Sequence, residues 1–232
     1  MKLAVMQPYI FPYVGYFQLI NAVDSFVLYD DVSFIKQGWI NRNRILVSGK
    51  PIFFTVPISK QSSFQEIRKT EIAEDQRLVK KIVLSLRYSY GKARYFNETM
   101  DIVVKVLCAK TRLIGEMASL SLVSVCDYLG IGTRFIYNPD KYTNSSLKKE
   151  ERIIDICHKE WADEYINLSG GKELYSKRRF GANGIDLRFL EPKDVRYAQF
   201  DVDFTPWLSI IDVMMFNSVE RIKGFLGEYI LS

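Results

Sequence analysis

Met6-Gln7-Pro8-Tyr9-Ile10-Phe11-Pro12-Tyr13-Val14-Gly15-Tyr16-Phe17 is the stretch on which the reading of the fold turns. Lys2 to Met6 before it is a short apolar run with strand character. Gly15 to Asn21 after it has the spacing of an amphipathic helix, so the stretch is the loop of a strand-loop-helix. Its two prolines fix their own φ and bias the residues before them away from helix, which predicts a stiff loop. The next apolar run, Phe26 to Tyr29, ends in Asp30-Asp31. A helix of about ten residues (~15 Å) matches a five-residue strand (~16 Å) in length, so the segments predict a βαβ unit with parallel strands. Gln7 and Asp30 then sit at the carboxyl ends of neighbouring strands and face one crevice. The aromatic loop is either a wall of that crevice or a rigid corner of core.

Downstream, Val32-Ser33-Phe34-Ile35-Lys36-Gln37-Gly38-Trp39-Ile40-Asn41-Arg42-Asn43-Arg44 reads as a polar, aromatic loop. Guanidinium groups at Arg42 and Arg44 pair with phosphate or carboxylate, Lys36 adds a third cation, Asn41 and Asn43 suit sugar hydroxyls, and Trp39 offers a stacking face. The alternative is a solvated turn whose arginines cover a sheet face. Lys50 to Ile58 alternates and contains Pro57, as an edge strand does.

Three helices follow. In the first, from Asp75 to Tyr90, Leu78, Val79, Ile82, Val83 and Leu86 form one apolar stripe. Asn97 is placed to cap the second, running to about Lys110, and Ile114 to Leu129 stops at Gly130. Arg134 to Tyr137 is a short strand ended by Asn138-Pro139, and Ser145 or Ser146 caps the helix carrying Ile153, Ile154, Cys157 and Trp161. Glu164 to Leu168 is a strand leading into Ser169-Gly170-Gly171-Lys172 and a helix to about Lys177, an arrangement that invites an anion to backbone N–H groups. It matches neither a full Walker loop nor a dinucleotide fingerprint. Ile185 to Leu190 adds a strand, and helices close the chain from Ile210 to Phe216 and on to Tyr229. Asp212, inside an apolar helix, either faces solvent or is paired in the interior, where Arg42 or Arg44 would be its partner.

At 232 residues the chain suffices for one α/β domain over residues 1–232, with a mostly parallel, Rossmann-like sheet, helices on both faces and a helical insert at about 75–129. A net charge of +5 favours anionic partners, but no basic run is long enough for a nucleic-acid arm. Three dispersed cysteines and one histidine argue against a structural zinc site, so no metal ligands are assigned. No leader and no membrane-length apolar run is visible, which predicts a cytoplasmic protein without membrane insertion. His158 is the candidate if the chemistry needs a neutral base near pH 7, although its place near a helix end favours a surface cap instead.

The N-terminal stretch, with Gln18-Leu19-Ile20, Tyr29-Asp30-Asp31 and Gly38-Trp39-Ile40-Asn41-Arg42-Asn43-Arg44, closely resembles the WbqC-like family. Arg152-Ile153-Ile154-Asp155-Ile156-Cys157, Gly170-Gly171-Lys172-x-Leu174-Tyr175 and Leu208-Ser209-Ile210-Ile211-Asp212 fit the same pattern. The resemblance implies a role in bacterial O-antigen or other surface polysaccharide synthesis, where transfer of glycine or another aminoacyl group to an amino sugar has been proposed. Pro12-Tyr13-Val14-Gly15-Tyr16 is also similar in place and spacing to the His-x-Gly-His loop of nucleotidyltransferases and carboxylate-adenylating ligases. Tyr13 and Tyr16 stand where that loop has histidines, and tyrosine supplies no imidazolium charge.

The combined expectation is a transferase that places an acyl group on the amine of a nucleotide-linked amino sugar. Arg42, Arg44 and Lys172 would hold phosphates, with Tyr13, Trp39 and Asn43 around sugar or base and Gln7 and Tyr16 also in the substrate site. Asp30 or Asp31 would accept the amine proton, because an ammonium has no lone pair for attack. The acyl donor carries no sequence signature, for coenzyme A, folate or a carrier protein alike, and ATP with magnesium is the variant in which the donor is activated on the protein. A non-catalytic sugar-nucleotide binder would need the same phosphate and stacking residues but could spare the carboxylates.

Overall fold

The computed structural model describes residues 1–59, 64–74, 76–137, 139–200 and 203–232. Its strands are β1 (Lys2–Met6), β2 (Ser25–Leu28), β3 (Arg42–Val47), β4 (Lys50–Thr55), β5 (Arg134–Ile136), β6 (Glu164–Leu168), β7 (Asp186–Pro192) and β8 (Tyr229–Leu231). The helices are α1 (Val14–Asn21), α2 (Gln76–Tyr90), α3 (Phe96–Leu107), α4 (Ile114–Leu129), α5 (Lys149–Lys159), α6 (Lys177–Gly181), α7 (Ile210–Phe216) and α8 (Val219–Leu226). The expected helix start at Asp75, the strand end at Asn138 and the side chain of Leu78 lie outside the described residues.

The main sheet has the order β5-β2-β1-β6-β7-β8. β1 pairs in parallel with β2 and β6, β2 with β5 and β6 with β7, while β8 runs antiparallel to β7. The chain therefore winds outward from β1 on one side and, from β6, outward on the other. This is a doubly wound α/β fold whose topological switch point lies between the carboxyl ends of β1 and β6. Because side chains alternate along a strand, the sheet has two core faces. Ala4, Phe26, Leu28, Ile166 and Leu190 face a layer that includes α1, α4, α7 and α8. Leu3, Val5, Val27, Tyr165 and Phe189 face α5 and α6. Ile82, Leu86, Met100, Val103 and Leu122 of the three-helix region belong to the first of these cores.

Several local expectations are corrected. The polar segment after Asp31 does not stay a loop, for Arg42–Val47 pairs antiparallel with Lys50–Thr55 in a separate hairpin. Its two-residue turn has φ of 49° at Ser48 and 74° at Gly49, the left-handed geometry that matches strand twist. Tyr95 rather than Asn97 precedes α3, and Lys148 rather than Ser145 or Ser146 precedes α5. Ser169–Gly171 forms a single 3₁₀ turn, and helix resumes only at Lys177. The last helix ends at Leu226, followed by β8, too short for its alternation to be seen in sequence.

Candidate functional site

The β1–α1 loop is stiff for more reasons than its prolines. Ile10 N–H donates to the Ile40 carbonyl at 3.1 Å, Phe11 N–H to Ser121 Oγ at 3.0 Å and Ile210 N–H to the Pro12 carbonyl at 2.8 Å. Asn43 Nδ2 donates to the carbonyls of Ile10 and Phe11 at 3.2 and 2.9 Å, and Ser209 Oγ reaches the latter at 2.6 Å. These bonds hold Phe11 at a φ of 40°, a strained value for a non-glycine residue that persists only where surroundings over-determine it. Gly15 is needed because a Cβ there would lie 2.3 Å from the Tyr13 ring and 2.7 Å from Pro192. The sequence thus folds this corner so that Tyr9, Pro12 and Tyr13 are presented on a fixed frame.

Those three residues, with Trp39, Asn43, Arg44 and Trp207, line a cavity of about 290 Å³. The Tyr13 and Trp207 rings stand 5.7 Å apart between centroids. Burial, with Tyr9 close by, pushes the Tyr13 hydroxyl up to about 12, so it remains a neutral hydrogen-bonding group at physiological pH. Arg44 donates from Nη2 to the Trp207 carbonyl at 2.9 Å, and its guanidinium lies 5.9 Å from the Trp39 ring. Its Nε is buried without a partner.

A second cavity, about 510 Å³, is lined by Asp30, Arg68, Glu116, Ser119, Leu120, Val123 and Tyr137. Asp30 and Tyr137 are supplied by the loops leaving β2 and β5, so this cavity also sits at the carboxyl edge. Asp30 Oδ1 is buried with no hydrogen-bond partner. Desolvation raises its carboxyl to about 6, against an opposing pull from Arg68. Arg68 itself is engaged by Glu66 and Asp140 and is held strongly cationic.

Asp31 has a different environment. Its side chain is 3% exposed and forms an ion pair with Arg152, itself stacked 4.7 Å from the Tyr29 ring and bonded through Nε to Asn144 at 3.0 Å. Each of the neighbouring aspartates keeps a buried Oδ1 without a partner, but Asp31 is locked through its other oxygen in a buried pair, whereas Asp30 lines the cavity.

The remaining expected residues are dispersed. Tyr16 is fully buried and donates to the Gln7 carbonyl at 2.6 Å, beneath the loop rather than at its surface. Gln7 accepts from the Tyr9 hydroxyl at 3.5 Å. Asn41 is buried and donates to Val56 at 2.8 Å, fastening the hairpin. Arg42 donates to the Gly38 and Gln37 carbonyls and lies 4.5 Å over Phe53. Lys36 is exposed on the loop before the hairpin. Gly170 stands in open space, whereas Gly171 is packed so closely that a Cβ would come within 2.6 Å of Asn167. With Ser169 in one 3₁₀ turn and no helix beginning there, the arrangement that favoured an anion is absent, and Lys172 pairs with Glu191 at 3.4 Å. His158 is exposed in the last turn of α5, its Nε2 2.9 Å from the Asn183 carbonyl. Asp212 is buried but not beside an arginine: Tyr90, Tyr197 and Gln199 donate to it at 2.7, 2.6 and 2.8 Å. Burial raises its pKa despite these three donors.

Sequence reasoning missed Arg68, Glu116, Ser119 and Tyr137 because only the fold brings them to Asp30. Trp207 had a visible signal, a second aromatic-proline run in Phe204-Thr205-Pro206-Trp207, but nothing local that tied it to Tyr13. Among the described residues no group of three or more His, Cys, Asp or Glu is placed to hold a metal ion, and no helix is long and apolar enough to cross a membrane.

Strand order, switch point and cavities formed by the loops that leave the parallel strands define a Rossmann-like α/β protein. The chain belongs to the WbqC-like protein family, whose model matches residues 7–224. It is similar to Rv1507c of Mycobacterium tuberculosis, named as an uncharacterized protein, with 31% identity over 219 residues that cover 93% of each chain. No solved structure matches it.

Proposed function

We propose that this protein is a transferase that places an acyl group on the amino group of a nucleotide-linked amino sugar, with glycyl the acyl group that the family resemblance implies and surface polysaccharide synthesis the setting. The observation that carries the reading is Asp30, whose buried Oδ1 lacks a partner and whose carboxyl is raised to about 6 by desolvation. A general base works best with a pKa near the operating pH, and burial is how a carboxylate reaches that range.

In the proposed reaction the sugar ammonium enters the cavity of Asp30 and Glu116, where two carboxylates attract it and Ser119 and Tyr137 offer hydrogen bonds to hydroxyls. Asp30 takes one proton from nitrogen, leaving a lone pair that attacks the carbonyl carbon of an activated acyl donor, an ester, thioester or acyl phosphate. The C–N bond forms and the bond from carbonyl carbon to the leaving group breaks. The leaving group departs with that electron pair and accepts the second nitrogen proton. Asp31, paired with Arg152, instead supports the segment that carries Asp30.

The reading is tested by incubating nucleotide-linked amino sugars with candidate donors, glycine plus ATP and magnesium among them, and following product mass. An acylated sugar nucleotide is the expected product with wild type, and Asp30→Asn should lower its yield while the sugar nucleotide still binds. Binding of the sugar nucleotide with no acylated product from any donor would contradict the transferase and favour a non-catalytic sugar-nucleotide binder.

A further inference from the structure

We propose that the cavity between the β1–α1 loop, β3 and Trp207 binds a planar aromatic ring that carries an anionic group, a nucleoside monophosphate unit, with the ring against Trp39, Trp207 and Tyr13 and the phosphate at Arg44. The inference deepens the transferase reading by giving the nucleotide its own site, apart from the Asp30 cavity, and rests on that reading for the ligand's identity as part of a sugar nucleotide.

Three observations carry it. The first is the wall chemistry: Trp39 and Trp207 are 40% and 54% exposed, and both line the same concave space with Tyr9 and Tyr13. Large rings left open around one cavity gain most from a flat ligand, which recovers offset or edge-to-face packing and removes apolar surface from water. The second is the state of Arg44. Its Nη2 is bonded to a neutral carbonyl and its Nε is buried and unmatched. A buried charged donor without an acceptor is costly, and an anion in the cavity supplies the missing charge-assisted bond. The third is backbone strain, since Trp207 holds a φ of 61° while its carbonyl receives Arg44. Strain of this kind collects at ligand clamps, where the surrounding contacts fix it.

Neither half of the ligand explains the cavity alone. A purely apolar ring leaves Arg44 Nε unmatched, and a bare anion leaves two indoles in water. At about 290 Å³ the space falls just under the usual range of ligand pockets, ~300–1,000 Å³. It suits one ring system with its charged group rather than a dinucleotide.

The experiment is calorimetric titration of the full chain with UMP, AMP, uridine and inorganic phosphate, in the absence of any acyl donor. At least one mononucleotide should bind saturably, with uridine and phosphate each at least about ten-fold weaker, the cost of losing one charge-assisted contact or the stacking surface. Arg44→Gln and Trp207→Leu should each weaken it by ten-fold or more, and Trp161→Phe, on an indole far along the chain at the end of α5, should bind as wild type. Melting temperatures confirm that each variant is folded, and either one suffices if the other is not. No heat with either mononucleotide at millimolar concentration, phosphate binding as well as the nucleotide, or undiminished binding in the folded variants would overturn the site. Nucleotide binding without acylated product would remove the transferase and leave the cavity standing; acylation without mononucleotide binding would remove the cavity alone.

Discussion

Asp30 and Asp31 are adjacent in sequence, yet the fold gives them opposite surroundings. Asp31 lies against Arg152, 121 residues away, while Asp30 opens into a cavity, although each keeps one buried oxygen unmatched. The dipeptide alone leaves either residue a candidate base, because burial and long-range pairing are properties of the folded chain. The same limit explains Asn41 and Asn43. Their amides suit sugar hydroxyls on paper, but both side chains are buried and hold backbone carbonyls. At this scale the Arg152–Asp31 pair gives a direct prediction. Arg152→Ala leaves Asp31 buried and uncompensated, and should destabilise the protein by about 3–5 kcal/mol in denaturant unfolding. A loss below about 1 kcal/mol would show that Asp31 finds water or another partner.

Among the elements, the first βαβ unit was legible because each of its parts carries its own signal. β1 spans the expected Lys2–Met6, α1 starts one residue before the expected Gly15, and β2 covers Ser25–Leu28 in place of Phe26 to Tyr29. α4 likewise ends where Gly130 adopts a φ of 67°. The hairpin was not legible, since β3 begins Arg42-Asn43-Arg44 and its polar residues hide the alternation that pairing with β4 establishes. Its importance is that Asn43 binds the β1–α1 loop from the side. Asn43→Ala should therefore lower stability by about 2–3 kcal/mol, through two lost amide donations and an unmatched Arg44 N–H. Unfolding measurements distinguish this from a ligand contact, which would lower nucleotide affinity at unchanged melting temperature.

For the whole molecule, the order β5-β2-β1-β6-β7-β8 is what makes the carboxyl edge the place for chemistry. Periodicity identified the strands as parallel neighbours of helices but not their lateral order, because order is set by which faces pack together. Consequently the residues expected around one substrate, Tyr13, Asp30, Arg42 and Arg44 among them, divide differently. Tyr13 shares an aromatic cavity with Arg44, Asp30 lines another, and Arg42 braces the loop before the hairpin. The account turns on Asp30 as the acceptor of the amine proton, and the dependence of kcat/KM on pH tests it most directly. Only the ionised carboxylate can take a proton, so with the carboxyl raised to about 6 the rate should climb as pH rises through 6 and then level. Asp30→Asn should remove that rise and lower turnover ~10²–10⁴-fold while the sugar nucleotide still binds. A wild-type profile with no inflection near 6, together with undiminished turnover in Asp30→Asn, would contradict it.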